Sequence, residues 1–426
     1  STAAVRPGSV TRTTSAPIER AHSSTSLQSQ TTVTGRGDAA AMTVSAMLRA
    51  RSARPVGSRT GARRALAPSN ALTGMRTATG PGMGRIVGPS RSVAPMADRV
   101  AVLGAGSWGT TVASLLAPVV PTVLWARDPE LASDVASGRG NPRYLPGFDL
   151  APSLQATSDI GNAVGGADII LVAVPTHGFR SVLSDAAAHL APVVPVLSLA
   201  KGFEQGSRLR MSQVVAEVLP DRPVGVLTGP NLAKEILVGK SAAMVVASTD
   251  TATTHRLQGL LASDSLRVYT NDDLVGCEIG GAVKNVIALA SGMAEGLDAG
   301  DNARAALINR GLAEMTRLGE ALGGDPRTLA GLAGMGDLLA TCISPQSRNR
   351  WVGEQVGRGL DPAEVLADMN QVAEGVPAAG AVCSLAASAG VEVPIATGVR
   401  EVFEHGRPPL EVWVDLMARR ARPEVG

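Results

Sequence analysis

The stretch "DRVAVLGAGSWGTTVASLLA" (98–117) decides the fold. Val100 to Leu103 form a short apolar run typical of a buried β-strand, then come Gly104-x-Gly106-x-x-Gly109 and a helical pattern. This order of strand, glycine turn and helix is what a dinucleotide-binding fingerprint requires. Gly104 permits the tight turn, Gly106 lets the backbone approach a pyrophosphate, and Gly109 lets the helix pack on the strand. The stretch therefore predicts the start of a Rossmann domain.

The next apolar run, "TVLWARD" (122–128), ends on Arg127 and Asp128. Asp128 lies twenty-four residues after Gly104, close to where an acidic residue binds the adenosine ribose of NAD. Arg127 could instead bind the 2′-phosphate of NADP. The two residues point to different coenzymes, so the choice between NAD and NADP stays open. A solvent-exposed ion pair at the end of the strand is the alternative interpretation.

Short apolar runs continue to residue 276 and alternate with helical or polar segments, which predicts an α/β layer with a mainly parallel sheet. From residue 277 only Ala/Leu/Gly-rich helical patterns follow. We therefore predict a Rossmann NAD(P)-binding domain at 98–276 and an all-helical substrate and catalytic domain at 277–426. The predicted strands after the second are 167–175, 195–200, 224–228, 242–248 and 266–270.

Residues 1–97 differ from the rest in composition. They carry thirteen arginines, no lysine and two acidic residues, whereas the remaining residues carry an excess of nine acidic side chains. An Arg-rich, Ser-rich and acid-poor segment resembles an organellar transit peptide, and the part from Met47 could serve as a presequence alone. We predict import into an organelle, with the plastid stroma favoured over the mitochondrial matrix or the cytosol. A disordered basic arm that binds nucleic acid or membrane is the alternative.

Composition excludes several classes of function. Ten aromatic residues in 426 disfavour stacking on nucleic-acid bases. Three widely spaced cysteines and no clustered histidines indicate neither a disulfide framework nor a zinc site, so no metal is expected. No uninterrupted apolar segment reaches the roughly 18–20 residues of a membrane-spanning helix. We therefore expect a small-molecule enzyme without nucleic-acid or membrane partners.

Several polar or charged side chains that could act in catalysis or binding lie in apolar or glycine-rich segments. Lys284 is the only charged residue between Ile279 and Ala294. Such a lysine is either a group with a chemical role or one whose stem packs while its ammonium group reaches water. Other candidates are Lys201 and the Gly229-Pro230-Asn231 segment, each after a predicted strand, Asp337, which follows two glycines in "GMGD", and Ser347-Arg348-Asn349, which suits a phosphate. Surface residues at a strand end and a basic surface loop are the alternatives for Lys201 and for the last group.

Taken together, these motifs resemble the soluble NAD(P)-dependent glycerol-3-phosphate dehydrogenases of the bacterial and plastid type. The resemblance covers nearly all of 98–426 and rests on stretches that occur in the family's order. They include "VLGAGSWGT", "LWARD", "NPRYLPG", "SLAKGFE", "GPNLAKEI", "CEIGGAVKNVIALASGMAEGL", "GDNARAALINRGLAEM", "GLAGMGDLLATC", "SRNR" and "VAEGV".

The resemblance implies interconversion of sn-glycerol 3-phosphate and dihydroxyacetone phosphate in a cleft between two domains, by a homodimer that serves glycerolipid metabolism. It implies that Lys284 is the proton acceptor, with Lys201 and Asp337 beside it. Asn231 departs from the Ser or Thr that is frequent in the family, which leaves the detail of that contact open. The implied substrate contacts are Lys201, Gly229, Asn231, Lys284, Asn285, Asp337, Ser347, Arg348 and Asn349, and the implied coenzyme contacts are Gly104, Gly106, Ser107, Trp108, Gly109, Arg127, Lys201, Ala233, Arg348, Val372 and Glu374.

Lys284 needs a lowered pKa for this role, because an ordinary lysine holds its proton at neutral pH. We expect burial, together with the cations Lys201 and Arg348, to lower the pKa of Lys284. Asn285 would orient Lys284 or bind a substrate hydroxyl, and Asp337 would relay a proton or position the ammonium group. The alternatives are a two-domain dehydrogenase of the β-hydroxyacid or 6-phosphogluconate type, and a nucleotide-binding sensor without catalysis.

Overall fold

A computed structural model describes residues 98–369 and 371–419 of the chain. The predicted targeting segment at 1–97 lies outside the described residues.

A single eight-stranded sheet is formed by the first part of the described chain. The strand order is β3-β2-β1-β4-β5-β6-β7-β8, and neighbours are parallel except for the antiparallel pair β6 and β7. Val100 at the start of β1 is aligned with Thr122 on one side and Ile169 on the other. The strands are β1 (Val100–Leu103), β2 (Thr122–Trp125), β3 (Gln155–Thr157), β4 (Ile169–Val172), β5 (Val196–Ser198), β6 (Val224–Thr228), β7 (Ala242–Ser248) and β8 (Leu266–Asn271).

Helices cover both faces of this sheet, and each face has its own hydrophobic core. The predicted bounds of β1, β6 and β7 agree with the structure, whereas β3 was not predicted. β3 lies at the edge of the sheet and its residues are partly exposed, so its sequence lacks an apolar run. The helices are α1 (Ser107–Leu116), α2 (Pro129–Ala136), α3 (Ile160–Val164), α4 (Thr176–Ala187), α5 (Met211–Val218), α6 (Ala233–Leu237) and α7 (Thr251–Leu261).

The second part of the described chain is entirely helical, as predicted. Its central helix begins at Leu274, so the predicted division after residue 276 falls within that helix's first turn. The helices are α8 (Leu274–Gly296), α9 (Asp301–Ala321), α10 (Pro326–Ala330), a π-helical turn (Leu332–Gly336), α11 (Asp337–Ile343), α12 (Arg348–Gly357), α13 (Pro362–Ala367), α14 (Gly375–Ala389), α15 (Pro394–His405) and α16 (Pro409–Ala418).

Helices α8 and α12 cross in direct backbone contact, through two glycines on each. A Cβ atom on Gly292 would lie 2.0 Å from the carbonyl oxygen of Arg350, and one on Gly353 would lie 2.1 Å from that of Leu289. Gly296 and Gly357 make equivalent contacts one turn further along. No side chain of ordinary size fits between these helices, so their separation is set by the backbones.

Helix α8 is the one helix among the described residues that is long and apolar enough to cross a membrane by length and composition. It has 23 residues, and its most apolar 18-residue window has a mean hydropathy of 1.3. The charged residues Glu278 and Lys284 interrupt the run, which is why an uninterrupted apolar segment was not found in the sequence. In the structure 83% of its most apolar window is buried, as in the central helix of a helical core.

Candidate active site

The turn after β1 has the geometry that its glycines predict. Gly104 has φ +115°, and a Cβ atom there would lie 2.8 Å from the Ala173 carbonyl group. A Cβ atom on Gly109 would lie 2.0 Å from the oxygen of Gly104, whereas one on Gly106 would meet nothing within 4 Å. The turn is therefore closed on the protein side and open at Gly106, where α1 begins without a side-chain cap. A pyrophosphate needs this arrangement to approach the backbone N–H groups.

Ser107 and Trp108 follow in the first turn of α1. The Ser107 hydroxyl donates to the carbonyl oxygen of Tyr144 at 3.0 Å. The indole N–H of Trp108 is buried without a hydrogen-bond partner. A buried donor without a partner is costly, so an acceptor supplied by a ligand at this turn would stabilise it. The residues of the turn thus fit a dinucleotide.

Arg127 and Asp128 follow β2 and differ in their contacts. Asp128 accepts from the backbone N–H of Glu130 at 2.9 Å, which caps α2, and from Arg143 Nη1 at 3.2 Å. Arg127 is exposed. The Asp128 carboxylate is therefore already engaged within the protein, as the ion-pair alternative expected, although its partner is Arg143.

A buried lysine, Lys284, and a partly buried one, Lys201, share one buried carboxylate at the carboxyl ends of β5 and β6. Asp337, whose side chain is 2% exposed, accepts from Lys201 Nζ at 2.7 Å and from Lys284 Nζ at 2.5 Å. Lys201 Nζ also donates to the carbonyl oxygen of Gly229 at 2.9 Å and to Asn231 Oδ1 at 2.5 Å. The whole chain has four lysines, so half of them meet at this carboxylate. A single negative charge cannot neutralise both ammonium groups.

Backbone geometry brings these groups together. Lys201 and Gly229 follow parallel strands, whose ends meet at one edge of the sheet. Lys284 lies on α8, and Asp337 begins α11 directly after the π-helical turn. The backbone of that turn contacts α8 at Gly280, where a Cβ atom would lie 2.8 Å from Ala333 O. Part of the close approach expected around Asp337 is therefore a contact within the protein, and short π-helical segments are frequent at functional sites.

The electrostatics of the site add a perturbed lysine that the sequence analysis did not predict. Burial and the neighbouring Lys284 ammonium group together lower the pKa of Lys201 to about 7, against the opposing charge of Asp337. Arg348, which was expected beside Lys284 as a neighbouring cation, donates to the carbonyl oxygen of Val372 at 2.9 Å.

Asn285 and Asn349 form a chain of amides beside the lysines. Asn285 Nδ2 donates to the carbonyl oxygen of Lys201 at 3.2 Å, and Asn349 Nδ2 donates to Asn285 Oδ1 at 3.0 Å. Asn349 Oδ1 accepts from the backbone N–H of Gly375 at 3.0 Å. Asn285 therefore contacts the segment that carries Lys201. The sequence analysis expected it to orient Lys284 or to bind a substrate hydroxyl, and the second role stays a prediction.

The remaining predicted residues lie at helix starts or in the loop after β6. Ser347 caps α12 by accepting from the Arg350 N–H at 3.2 Å. Glu374, from the helical part, accepts from the N–H (3.2 Å) and hydroxyl (2.9 Å) of Thr176 at the start of α4. Ala233 is the first residue of α6, which follows β6. The amide nitrogen of Asn231, like the indole of Trp108, is buried without a partner and is available to a ligand.

Thr341 is a contact of Lys284 and Asp337 that the sequence analysis did not name. Its hydroxyl accepts from Lys284 Nζ at 2.8 Å and donates to the carbonyl oxygen of Asp337 at 2.7 Å. It follows Asp337 by four residues, which is one helical turn. That spacing in "GMGDLLATC" was the signal that could have identified it. Among the described residues no cluster of three or more His, Cys, Asp or Glu side chains could hold a metal ion.

Comparisons with known proteins show which sequences and folds this chain resembles. The chain matches two family profiles, described as NAD-dependent glycerol-3-phosphate dehydrogenase N-terminus (residues 99–254) and C-terminus (residues 273–414). Glycerol-3-phosphate dehydrogenase (NAD(P)+) 2 of Sphingopyxis alaskensis is 52% identical over 319 residues, which are 75% of this chain and 96% of the relative. The Thermobifida fusca enzyme of that name is 52% identical over 330 residues, 76% of this chain and 98% of the relative. The crystal structure of glycerol-3-phosphate dehydrogenase from Coxiella burnetii superposes with a TM-score of 0.74 at 36% identity, covering 76% of this chain and all of that one.

Proposed function

The chain belongs to the NAD-dependent glycerol-3-phosphate dehydrogenase family, and from this premise we propose how its residues interconvert sn-glycerol 3-phosphate and dihydroxyacetone phosphate with NAD(P). The observation that carries the proposal is the Asp337 carboxylate shared by Lys201 and Lys284. It lies at the carboxyl edge of a sheet whose first turn fits a dinucleotide.

Lys284 is the proton acceptor in the proposed mechanism. When bound, the nicotinamide coenzyme supplies the acceptor for the hydride in alcohol oxidation and the donor in ketone reduction. Oxidation of the secondary alcohol also requires a base for the hydroxyl proton. Lys284 is 6% exposed and hydrogen-bonded to Asp337 and Thr341, which hold its Nζ atom in one position. In the reverse direction the same group returns the proton to the developing alkoxide.

Asp337 links this base to a second lysine that can exchange protons with water. Lys284 Nζ, the two Asp337 oxygens and Lys201 Nζ form a continuous chain of hydrogen bonds. Lys201 is more exposed than Lys284, at 16% of its side-chain surface, and its pKa of about 7 allows it to release a proton at neutral pH. These hydrogen bonds therefore provide a route by which Lys284 can lose the proton that it takes from the substrate.

The substrate phosphate is bound at the start of α12 in this proposal. Arg348 is exposed and uses one Nη1–H on Val372, so its other donors are available to phosphate oxygens. The buried amides of Asn349 and Asn285 connect this end of α12 to the Lys201 segment. Binding energy from the phosphate would then fix the reacting carbon near Lys284.

The test is turnover of dihydroxyacetone phosphate by the full chain with NADH or NADPH, followed by the loss of reduced-nicotinamide absorbance. Lys284→Met keeps most of the side-chain length and should lower kcat by about 10²–10⁴-fold. The matched control is Lys234→Met on the exposed face of α6, which should keep wild-type kcat. If the wild-type protein binds coenzyme but turns over only hydroxyacids, the proposed substrate is wrong. A fully active Lys284→Met variant would refute the role of the base.

We also propose that the protein is a homodimer. The family resemblance suggests it, and Met335, Leu339 and Ile343, spaced four residues apart, are exposed apolar side chains on the surface of the helical part. Light scattering coupled to gel filtration should give about twice the mass of the 43.3 kDa chain. A single-chain mass at assay concentration would contradict the proposal.

We further propose that residues 1–97 direct import into an organelle, with the plastid stroma favoured. The arginine-rich, acid-poor composition supports this, whereas the relatives compared above are bacterial. The full chain and a version that starts at residue 98, each with a C-terminal fluorescent tag, should differ in location when expressed in a plastid-bearing cell. Identical cytosolic distributions would contradict the proposal.

A further inference from the structure

Glu278 connects the two elements that carry the lysines. It lies on α8, six residues before Lys284, and its side chain is buried. One carboxylate oxygen accepts from the backbone N–H of Ser212 at 2.8 Å. The other accepts from the Ser212 hydroxyl at 2.6 Å and from Arg210 Nη1 at 2.5 Å. These donors lie at the start of α5, directly after the loop that begins at Lys201.

The loop transmits this attachment to Lys201. Phe203 and Arg210 pair as an isolated antiparallel bridge, and the Glu204 N–H donates to the carbonyl oxygen of Leu209 at 2.9 Å. Phe203 is buried in the same hydrophobic core as the residues of α8. Fixing Arg210 therefore fixes Phe203, which is two residues from Lys201.

We propose that Glu278 is a positioning residue that holds the loop 201–210 against α8, so that Lys201 Nζ stays buried at Asp337. The inference rests on the proposed function, in which the lysine pair is part of the catalytic machinery. Without the Glu278 carboxylate, Arg210 and the Ser212 hydroxyl lose a shared acceptor, and the loop is free to move away from α8. Lys201 would then gain solvent, and its ammonium group would recover hydration.

Glu278→Gln tests this directly. The amide keeps the shape and one acceptor for the Ser212 N–H, but its nitrogen faces two donors, Arg210 and the Ser212 hydroxyl. Because the chain has four lysines, selective ¹³Cε labelling gives four resonances, and Lys201 can be titrated without reference to activity. The midpoint for Lys201 should rise from about 7 toward the usual 10.5. In parallel, kcat should fall by about tenfold or more while KM for the coenzyme changes little.

The matched control is Glu314→Gln. Glu314 is also buried and also accepts backbone N–H groups at a helix start, from Ile395 at 2.8 Å and Ala396 at 3.3 Å, but it does not contact the loop. It should keep the wild-type Lys201 midpoint and kcat.

An unchanged Lys201 midpoint in Glu278→Gln, or the same changes in both variants, would overturn the proposal. If Glu278→Gln does not fold, Ser212→Ala removes one of the three donors and should shift the midpoint in the same direction by less. An unchanged midpoint and kcat in that variant would overturn it equally. Absence of wild-type turnover would refute the proposed function and leave the titration to decide the role of Glu278.

Discussion

Replacing Lys201 by methionine should remove a rise in stability with pH. In the unfolded chain Lys201 holds its proton up to its usual pKa of 10.5, whereas in the folded protein burial lowers that pKa to about 7. Between these values the unfolded state binds more protons, so the free energy of unfolding increases with pH. This contribution is fully present above pH 10.5 and is lost as the pH falls through 7. At about 1.4 kcal/mol per tenfold change in proton affinity, it amounts to about 5 kcal/mol over the full range.

The assay is urea unfolding of the wild type and Lys201→Met at several values of pH, without coenzyme. The difference between their free energies of unfolding should grow by about 3 kcal/mol between pH 7.5 and 9.5, because other titrating groups are common to both proteins. Lys240→Met is the control, since Lys240 is an exposed lysine paired with Glu235 at 3.1 Å on the surface, and its difference should stay flat. A flat difference for Lys201→Met would show that Asp337 fully compensates the Lys201 ammonium group, and the reasoning would fail.

Three further predictions concern other parts of the protein. Gly353→Ala should lower the free energy of unfolding, measured in urea, by about 1–3 kcal/mol, because the new methyl group would lie 2.1 Å from Leu289 O. It should also raise KM for dihydroxyacetone phosphate. Unchanged values of both would show that α12 can move at no cost. Arg127→Ala should raise KM for NADPH and leave that for NADH unchanged, since Asp128 is already bonded within the protein; equal losses with both coenzymes would contradict this. Burial raises the pKa of Glu314 from 4.5 to about 7, so wild-type stability should lose about 3 kcal/mol from this group as the pH rises through that range. Glu314→Gln should lack this loss. If the free energies of unfolding of wild type and variant change in parallel with pH, the raised pKa of Glu314 is refuted.

The elements with strong local signals could be predicted from the sequence. The run Val100 to Leu103 followed by the glycine turn specifies its own strand, turn and helix, and its bounds agree with the structure. The two lysines and Asp337 were identifiable because charged residues are rare in apolar or glycine-rich segments. β3 was not predictable in this way, because an exposed edge strand has no need of an apolar run.

Contacts between distant residues were the part that the sequence did not reveal. Glu278 stood in the quoted motif, but its partners lie 66 and 68 residues away, and nothing in the local pattern indicates them. The lowered pKa of Lys201 was not predicted for the same reason. Burial determines it, and burial of Lys201 depends on α8 and α11, which are far from it in sequence.

The glycine crossing of α8 and α12 has a consequence for the size of the substrate. Lys284 and Arg348 lie on two helices whose backbones touch, so the span from the base to the phosphate-binding end cannot lengthen or shorten without separating them. A phosphorylated alcohol with one carbon more or fewer between its phosphate and its hydroxyl would contact either Lys284 or the phosphate-binding end at Arg348, but not both. The direct backbone contact of α8 and α12 would therefore make the protein selective for the number of carbons between the phosphate and the hydroxyl of its substrate.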